Sequence, residues 1–283
     1  MWRSLLFVPV LEERFIQKAG SRGADAIILD LEASIATERK DEARKALPSA
    51  VERLAGGSAV TVRINQLWLD AVRDLEVCVR PGVDALHIAY CESAEHVRFI
   101  DGLVTELEAE RGMAVGSIKL IAMIESADAV MRATEIAKAT PRLCGLTLGV
   151  EDYATSMGTT TSPELLRSAV FPVIQAARAA GIHPLAVPAS MANFSDIAEL
   201  ESAALYARSL GSVGGYAVHP LQVDTLNRIF SPTDEEINWA KNVVAASKDV
   251  ENAGKGAFSV AGQMIDKPLI ERASSILDQL KQP

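Results

Sequence analysis

Short runs of apolar residues alternate along the chain with longer stretches in which apolar and charged residues recur at helical spacing. Eight such runs occur, at residues 3–9, 25–32, 59–65, 84–90, 118–125, 143–152, 183–189 and 215–220. Most are apolar at nearly every position, which is typical of parallel strands that are covered on both faces. The pattern therefore predicts eight buried parallel strands.

The stretches between these runs predict helices that end on glycine, as many helices do. They include residues 12–23, 38–57, 93–112 and 162–181. The last begins with Ser-Pro-Glu, which supplies an N-cap, a proline for the first turn and an early acid. Eight strand–helix units in one chain of 283 residues favour a (β/α)₈ TIM barrel in the α/β class. A doubly wound open sheet is the alternative.

The alternation changes near the end of the chain. A helix start at 231–233 opens an amphipathic stretch, and a Gly-rich linker and a second helix follow without another strand–helix unit. We therefore expect a catalytic barrel domain at 1–229 and a helical extension at 230–283. In the extension, Asp266 precedes a proline suited to a first helical turn, so its local sequence predicts a helix N-cap.

Composition and charge narrow the classes of partner. Lys and Arg number 28 against 37 Asp and Glu, for a net charge of −9, which argues against nucleic acid and anionic membranes as partners. The three cysteines are not spaced as metal ligands, which favours buried thiols in a reduced compartment. The N-terminal apolar stretch is too short to span a membrane and lacks a signal-peptide pattern. We expect a cytoplasmic protein.

Charged side chains collect where the predicted strands end. In a (β/α)₈ barrel the active site lies at the C-terminal ends of the strands. The residues found there are Asp30, Glu32, Arg63, Glu125, Asp152 and His219. We expect these side chains to meet at one rim of the barrel.

Two of these acids suggest a metal site. Glu125 and Asp152 end successive predicted strands, and adjacent strands lie about 4.8 Å apart, so one divalent ion can bridge them. Mg²⁺ binds one or two carboxylates and fills its other positions with water or substrate oxygens, and the lack of neighbouring His or Cys argues against Zn²⁺. Alternatively, Glu125 caps the following helix. Arg63 either holds an anionic or enolate oxygen beside the metal or pairs with Asp30 or Glu32.

Other chemistries have weaker support. The sequence shows neither a nucleophile elbow nor the spacing of a phosphate-binding loop. His87, His96 and His183 are interpreted as structural or surface residues, and His219 as a residue that holds loop structure at the rim. A metal-assisted reaction therefore remains the leading interpretation.

Several segments together resemble one protein family. The chain resembles the citrate lyase β-subunit-like family of the HpcH/HpaI aldolase superfamily, which includes malyl-CoA and citramalyl-CoA lyases. The matching segments run almost from end to end, and they include RSLLFVP, KAGSRGADAIILDLE, VTVRIN, LGVEDY, VHPLQV and GQMIDKPLIERA. The interval of 27 positions from Glu125 to Asp152 also suits the metal pair of that family.

The resemblance implies a TIM barrel with a C-terminal lid, assembled into trimers or hexamers. It implies a lyase that cleaves or forms a β-hydroxyacyl-CoA thioester, yielding an acyl-CoA and a 2-oxo acid. Glu125 and Asp152 would hold Mg²⁺, Arg63 would contact the thioester or enolate oxygen, and Glu32 is a further catalytic candidate. Asp266 would act as acid or base in a neighbouring subunit's site.

The same resemblance marks a site for the coenzyme. Arg14 and Lys18 correspond to the part of the family that receives the CoA phosphates, and Phe7 and Pro9 of the first strand are also candidates for CoA binding.

The chain departs from the family pattern at several positions. Val10 replaces a glycine, Ala33 an acid and Gly215 a lysine, and a lysine common after the fourth strand is missing. A CoA-independent, pyruvate-type metal aldolase and a non-catalytic binding subunit that retains the fold therefore remain as alternatives.

Overall fold

The computed structural model describes residues 2–190, 193–252 and 257–280. The chain divides into two compact units, one at 2–230 and one that begins at Ser231. Among the described residues, the first unit contains eight strands of two to six residues. They are β1 (Ser4–Pro9), β2 (Ala26–Asp30), β3 (Ala59–Ile64), β4 (Ala85–Ile88), β5 (Lys119–Ile124), β6 (Leu143–Leu148), β7 (His183–Pro184) and β8 (Gly215–Ala217).

These strands form one parallel sheet in the order β7-β6-β5-β4-β3-β2-β1-β8. The last strand returns to the first, with Leu5 of β1 opposite Tyr216 of β8. Before β8, the amide of Val213 donates to the carbonyl oxygen of Pro184 in β7 at 2.9 Å. The sheet thus curls round on itself, and the predicted (β/α)₈ barrel is confirmed.

Helices connect the strands, as the amphipathic stretches predict. At the start of the helix at 163–180, the Ser162 hydroxyl accepts a hydrogen bond from the Leu165 amide at 3.2 Å, as expected for an N-cap. None of the helices in the described ranges is long and apolar enough to cross a membrane. The helices of the first unit are α1 (Glu13–Ala19), α2 (Lys40–Leu54), α3 (Trp68–Cys78), α4 (Ala94–Glu110), α5 (Ala127–Met131), α6 (Ala133–Ala137), α7 (Val150–Ser156), α8 (Pro163–Ala180), α9 (Ile197–Leu210) and α10 (Leu221–Phe230).

Buried polar side chains of β3, β4 and β8 form a hydrogen-bonded network. His87 Nδ1 lies 2.9 Å from the Tyr216 hydroxyl, and Nε2 lies 2.9 Å from Thr61 Oγ1. Thr61 donates its hydroxyl proton to the carbonyl oxygen of Ile27, so it accepts from His87 Nε2–H, and Tyr216 donates to Nδ1. Burial lowers the pKa of His87 to about 3. The structural interpretation of His87 therefore agrees with the fold.

Three of the predicted strands extend three or more residues beyond the observed strands. The run at 143–152 forms a strand only to Leu148, and Asp152 lies in the first turn of α7 rather than at a strand end. Likewise β7 spans only two residues, and His219 lies beyond the end of β8 at Ala217. The apolar pattern continues through each strand–helix junction, so hydrophobicity alone cannot mark where the strand stops.

The second unit pairs two helices around a hairpin. Its elements are α11 (Asp234–Asn252), β9 (Phe258–Val260), β10 (Gln263–Ile265) and α12 (Lys267–Gln279). The predicted helix start is confirmed, since Thr233 Oγ1 accepts from the Glu236 amide and Glu236 Oε2 accepts from the Thr233 amide. This reciprocal pair is a capping box.

The hairpin corrects the expectation of a strandless Gly-rich linker. Strands β9 and β10 pair antiparallel, and the two residues between them, Ala261 and Gly262, have φ values of 48° and 82°. Two successive positive φ values are the mirror-image turn that suits a tight hairpin. Residues 253–256 of the predicted linker lie outside the described residues.

Candidate active site

A cleft of about 490 Å³ opens at the C-terminal ends of the barrel strands. Its walls bring together charged residues that the sequence places far apart. The residues that line it and matter to its chemistry are Phe7, Pro9, Asp30, Arg63, Glu125, Gly149, Asp152 and Tyr216.

Glu125 follows the last residue of β5 and is only 2% exposed. Its Oε2 atom accepts a hydrogen bond from the Tyr90 amide at 2.5 Å. Burial raises the pKa of Glu125 to about 8, although the Tyr90 amide acts in the opposite direction. The alternative role as a helix cap is wrong, because the neighbouring Ser126 caps α5 by accepting from the Ala129 amide.

Gly149 makes room for this carboxylate. A Cβ atom at position 149 would lie 2.3 Å from Glu125 Oε1 and 2.5 Å from Glu125 Cγ. The Gly149 amide also donates to the carbonyl oxygen of Ile124 at 2.9 Å. This bond holds the backbone of Gly149 close to the end of β5, next to Glu125. Any side chain at this position would therefore displace the Glu125 carboxylate.

Asp152 reaches the same cleft from the first turn of α7. Its Oδ1 atom accepts a hydrogen bond from the Tyr90 hydroxyl at 2.7 Å. Tyr90 therefore bonds to both carboxylates, through its amide to Glu125 and through its hydroxyl to Asp152.

The acid pair fits a hard divalent cation. Glu125 Oε1 and Asp152 Oδ2 accept no hydrogen bond from any residue in the described part of the chain. The described ranges contain no group of three or more His, Cys, Asp or Glu side chains that could hold a metal ion. Two carboxylates with one oxygen each to spare match the protein share of a Mg²⁺ shell that water and substrate complete. A bound cation would also offset the cost of ionising Glu125.

Arg63 lies on β3 at the edge of the cleft, where acids hold it on two sides. Its Nε and Nη2 atoms bond to the two oxygens of Asp30 at 2.7 and 2.8 Å, and Nη1 lies 3.1 Å from Glu32. The guanidinium carbon lies 4.7 Å from the centre of the Phe7 ring. Burial alone would lower the pKa of Arg63, but the Asp30 pair raises it. The interpretation of Arg63 as a partner of these acids is confirmed. Arg63 also lines the cleft, and its contact with an anionic or enolate oxygen stays a prediction.

Asp30 and Tyr90 were not among the predicted catalytic or metal residues. Asp30 is 2% exposed; burial opposes its ionisation, but Arg63 keeps its pKa below the ordinary value. Its position at the end of an apolar run was a usable signal, since a buried acid needs a partner. Tyr90 offered no comparable signal, because its role depends on a backbone turn after β4.

Two predicted CoA residues lie apart from the cleft lining. Arg14 and Lys18 project from α1 as exposed side chains, and Arg14 lies 3.4 Å from Glu12. Phe7 and Pro9 do line the cleft. The structure thus brings together only part of the predicted coenzyme site.

Asp266 belongs to the second unit. It occupies the N-cap position of α12, with a proline in the first turn, but its side chain accepts no capping hydrogen bond. The local prediction of a side-chain cap is therefore wrong, while the position at the helix start is right.

The residues that depart from the family pattern lie in different environments. Ala33 lines the cleft, and Val10 is buried. Gly215 faces Val187, whose Cγ2 atom would lie 2.6 Å from a Cβ atom at 215. Steric crowding therefore excludes a lysine from this position in the present packing.

Comparison with known proteins places the chain among lyases. It is 37% identical to citrate lyase subunit beta of Haemophilus influenzae over 99% of this chain and 97% of that protein. It is 32% identical to an L-malyl-CoA/beta-methylmalyl-CoA lyase of Rhodobacter capsulatus, over 98% and 94% of the two chains.

A solved structure gives the same relationship in three dimensions. The protein CitE from Mycobacterium tuberculosis, in complex with magnesium, acetoacetate and coenzyme A, superposes with a TM-score of 0.75 at 29% identity, over 99% of this chain and 98% of that one. The family model for HpcH/HpaI aldolase/citrate lyase matches residues 3–220. The chain therefore belongs to the HpcH/HpaI aldolase/citrate lyase family.

Proposed function

We propose that this protein is a Mg²⁺-dependent carbon–carbon lyase that cleaves or forms a β-hydroxyacyl-CoA thioester of the malyl-CoA, citramalyl-CoA or citryl-CoA kind. The observation that carries the proposal is the cleft itself, which is lined by the acid pair Glu125 and Asp152 and by the cation Arg63. The names of the relatives, citrate lyase subunit beta and malyl-CoA lyase, support it independently.

Magnesium would bind to Glu125 and Asp152. The CitE structure named above contains magnesium, and the spare carboxylate oxygens in the present cleft suit such an ion. When bound, Mg²⁺ supplies a Lewis acid that polarises substrate oxygens. The residues of the chain provide the remaining chemistry.

The proposed reaction breaks the carbon–carbon bond next to the hydroxyl-bearing carbon. A base accepts the hydroxyl proton as the carbonyl of the 2-oxo acid forms, and the bonding electron pair moves into the thioester as an enolate. Protonation of the enolate carbon then completes the acyl-CoA. Arg63 stabilises the enolate oxygen, since a fixed and largely buried cation lowers the energy of developing negative charge. Asp30 and Glu32 position Arg63 in advance, because the guanidinium is already held before substrate binds.

The coenzyme portion would approach along the first strand. Phe7 and Pro9 supply apolar surface in the cleft, and the exposed cations Arg14 and Lys18 supply charge for phosphate groups. Their separation from the cleft suits a long substrate whose phosphates lie far from the thioester.

Proton transfer is assigned to Asp266 of a neighbouring subunit. In this proposal the second unit acts as a lid, and the active protein is a trimer or hexamer. The support is the side chain of Asp266, which is not consumed as a helix cap.

The proposal is tested with wild-type protein, Glu125→Gln and the control Glu135→Gln, which changes an exposed acid on α6. Each is given malyl-CoA, citramalyl-CoA or citryl-CoA with Mg²⁺ or with EDTA, and 2-oxo acid and free thiol are followed separately. We expect the wild type and the control to release 2-oxo acid only with Mg²⁺, and Glu125→Gln to be slower by about 100-fold or more, because the metal contributes several kcal/mol.

Other results would redirect the assignment. Release of 2-oxo acid that continues in EDTA, or a fully active Glu125→Gln, would overturn the metal mechanism. Condensation of pyruvate with aldehydes, without any action on thioesters, would instead identify the CoA-independent aldolase. No turnover with either class would favour a binding subunit.

A further inference from the structure

Tyr90 follows strand β4 in an unusual backbone conformation. Its φ angle is 46°, in the left-handed region that costs an ordinary residue roughly 1–2 kcal/mol. The next amide, of Cys91, donates to the carbonyl oxygen of Met123 in β5 at 3.0 Å. The turn at Tyr90 thus takes its own amide out of the regular ladder and directs it to Glu125 Oε2.

The two hydrogen bonds of Tyr90 go to carboxylates on different elements. The amide bond fixes Glu125 after β5, and the hydroxyl bond, at 2.7 Å, fixes Asp152 on α7. Each bond occupies one oxygen and leaves the other oxygen of the same carboxylate without a protein donor in the described part of the chain. One residue therefore sets the separation and the orientation of both acids.

We infer that Tyr90 is the positioning residue for the divalent-cation site, an inference that rests on the proposed function. Residues that hydrogen-bond to metal-binding carboxylates hold them in place, and their loss typically weakens metal binding about 10- to 100-fold. Without the hydroxyl bond, Asp152 remains on α7 but loses the contact that holds its carboxylate in place at the cleft.

Within the described residues, the Tyr90 hydroxyl makes a hydrogen bond to Asp152 and to no other residue. The Tyr90 ring forms part of a groove beside the cleft, together with Trp68 and Phe99, and its hydroxyl bonds to Asp152. Removing the oxygen while keeping the ring should leave the barrel packing intact. Tyr90→Phe therefore separates positioning of the acids from general stability.

The test measures Mn²⁺ binding without substrate, by electron paramagnetic resonance, since Mn²⁺ suits the same oxygen ligands as Mg²⁺. The proteins compared are the wild type, Tyr90→Phe, Glu125→Gln and the matched control Tyr153→Phe. Tyr153 is the residue after Asp152, and no hydrogen bond from its hydroxyl to either carboxylate is found in the described residues. We expect Tyr90→Phe to raise the dissociation constant for Mn²⁺ at least 10-fold, and Tyr153→Phe to leave it within twofold of the wild type.

The outcomes distinguish the inference from the proposed function. If the wild type binds Mn²⁺, Glu125→Gln does not, and Tyr90→Phe binds as tightly as the wild type, the positioning role is wrong while the metal site stands. If the wild type fails to bind, or Glu125→Gln binds normally, the proposed metal site is wrong and the inference falls with it. Thermal denaturation without metal checks folding, and Tyr90→Leu, which also lacks the hydroxyl, repeats the test should the first variant fail to fold.

Discussion

Replacing Gly149 by alanine adds a single methyl group at a crowded point of the cleft. Its backbone angles, φ −83° and ψ 98°, are open to alanine, so any effect comes from the methyl group rather than from the backbone. The new carbon would lie 2.3 Å from Glu125 Oε1 and 2.8 Å from Glu125 Cδ. Since carbon–oxygen contacts are about 3.3 Å, the overlap is about 1 Å.

The cheapest relief is movement of the Glu125 side chain, because Gly149 is fixed by its bond to Ile124. That movement lengthens or breaks the bond between Glu125 and the Tyr90 amide, and a typical intramolecular hydrogen bond contributes about 0.5–1.5 kcal/mol. Overpacking in a filled site costs about 1–3 kcal/mol. We expect Gly149→Ala to lower the free energy of unfolding by about 2 kcal/mol and to weaken Mn²⁺ binding at least 10-fold.

The measurement combines guanidinium denaturation with Mn²⁺ titration. Gly102→Ala is the matched control, because position 102 lies inside helix α4 with no heavy atom within 4 Å of the added methyl. Alanine there should be neutral or stabilising by up to about 1 kcal/mol and should not change metal binding. If Gly149→Ala matched the wild type in both stability and Mn²⁺ affinity, the described packing of Glu125 against Gly149 would be wrong.

Burial lowers the pKa of His87 to about 3, whereas in the unfolded chain the pKa is about 6.5. The contribution of neutral His87 to the free energy of unfolding is therefore complete above pH 6.5. It falls by about 1.4 kcal/mol for each pH unit as the pH drops toward 3. Urea titrations at pH 6.5 and 4.5 should show a smaller loss in His87→Gln than in the wild type, and equal losses would contradict the assignment. Asp30→Asn should lower the free energy of unfolding by about 3 kcal/mol, because it breaks a buried pair with Arg63. In guanidinium denaturation, the double variant with Arg63→Met should lose less stability than the sum of the two single losses. Losses that simply add would contradict the pair. Mixing inactive Glu125→Ala with inactive Asp266→Ala should restore activity once subunits exchange, and exchange seen by mass spectrometry without recovery would exclude action across subunits.

The barrel was predictable because its signals are local and repeated. Eight apolar runs, such as residues 118–125, are long enough to identify buried strands. Because parallel strands end at one rim, the same pattern indicated that Glu125, Arg63 and Asp30 would be neighbours. The positions of these charged residues at the ends of predicted strands were therefore enough to locate the cleft.

The rest depends on geometry that residue types do not encode. The run at 143–152 is apolar through the strand–helix junction, so the sequence placed Asp152 on a strand instead of the helix that presents it. Tyr90 acts through a left-handed turn that no pattern in the sequence predicts. The hairpin turn at 261–262 consists of one Ala-Gly pair. This pair is a weak indication of a turn in a segment that contains other glycines nearby.

Cleavage carried out in D₂O tests the central claim most directly. A lyase that releases an acetyl-CoA enolate from malyl-CoA must take one hydrogen from solvent as the new methyl group forms. At early times and with Mg²⁺, mass spectrometry should find acetyl-CoA with one deuterium per molecule and an equal amount of glyoxylate, and neither product in EDTA. Release of free CoA with malate, or acetyl-CoA without solvent deuterium, would contradict the account.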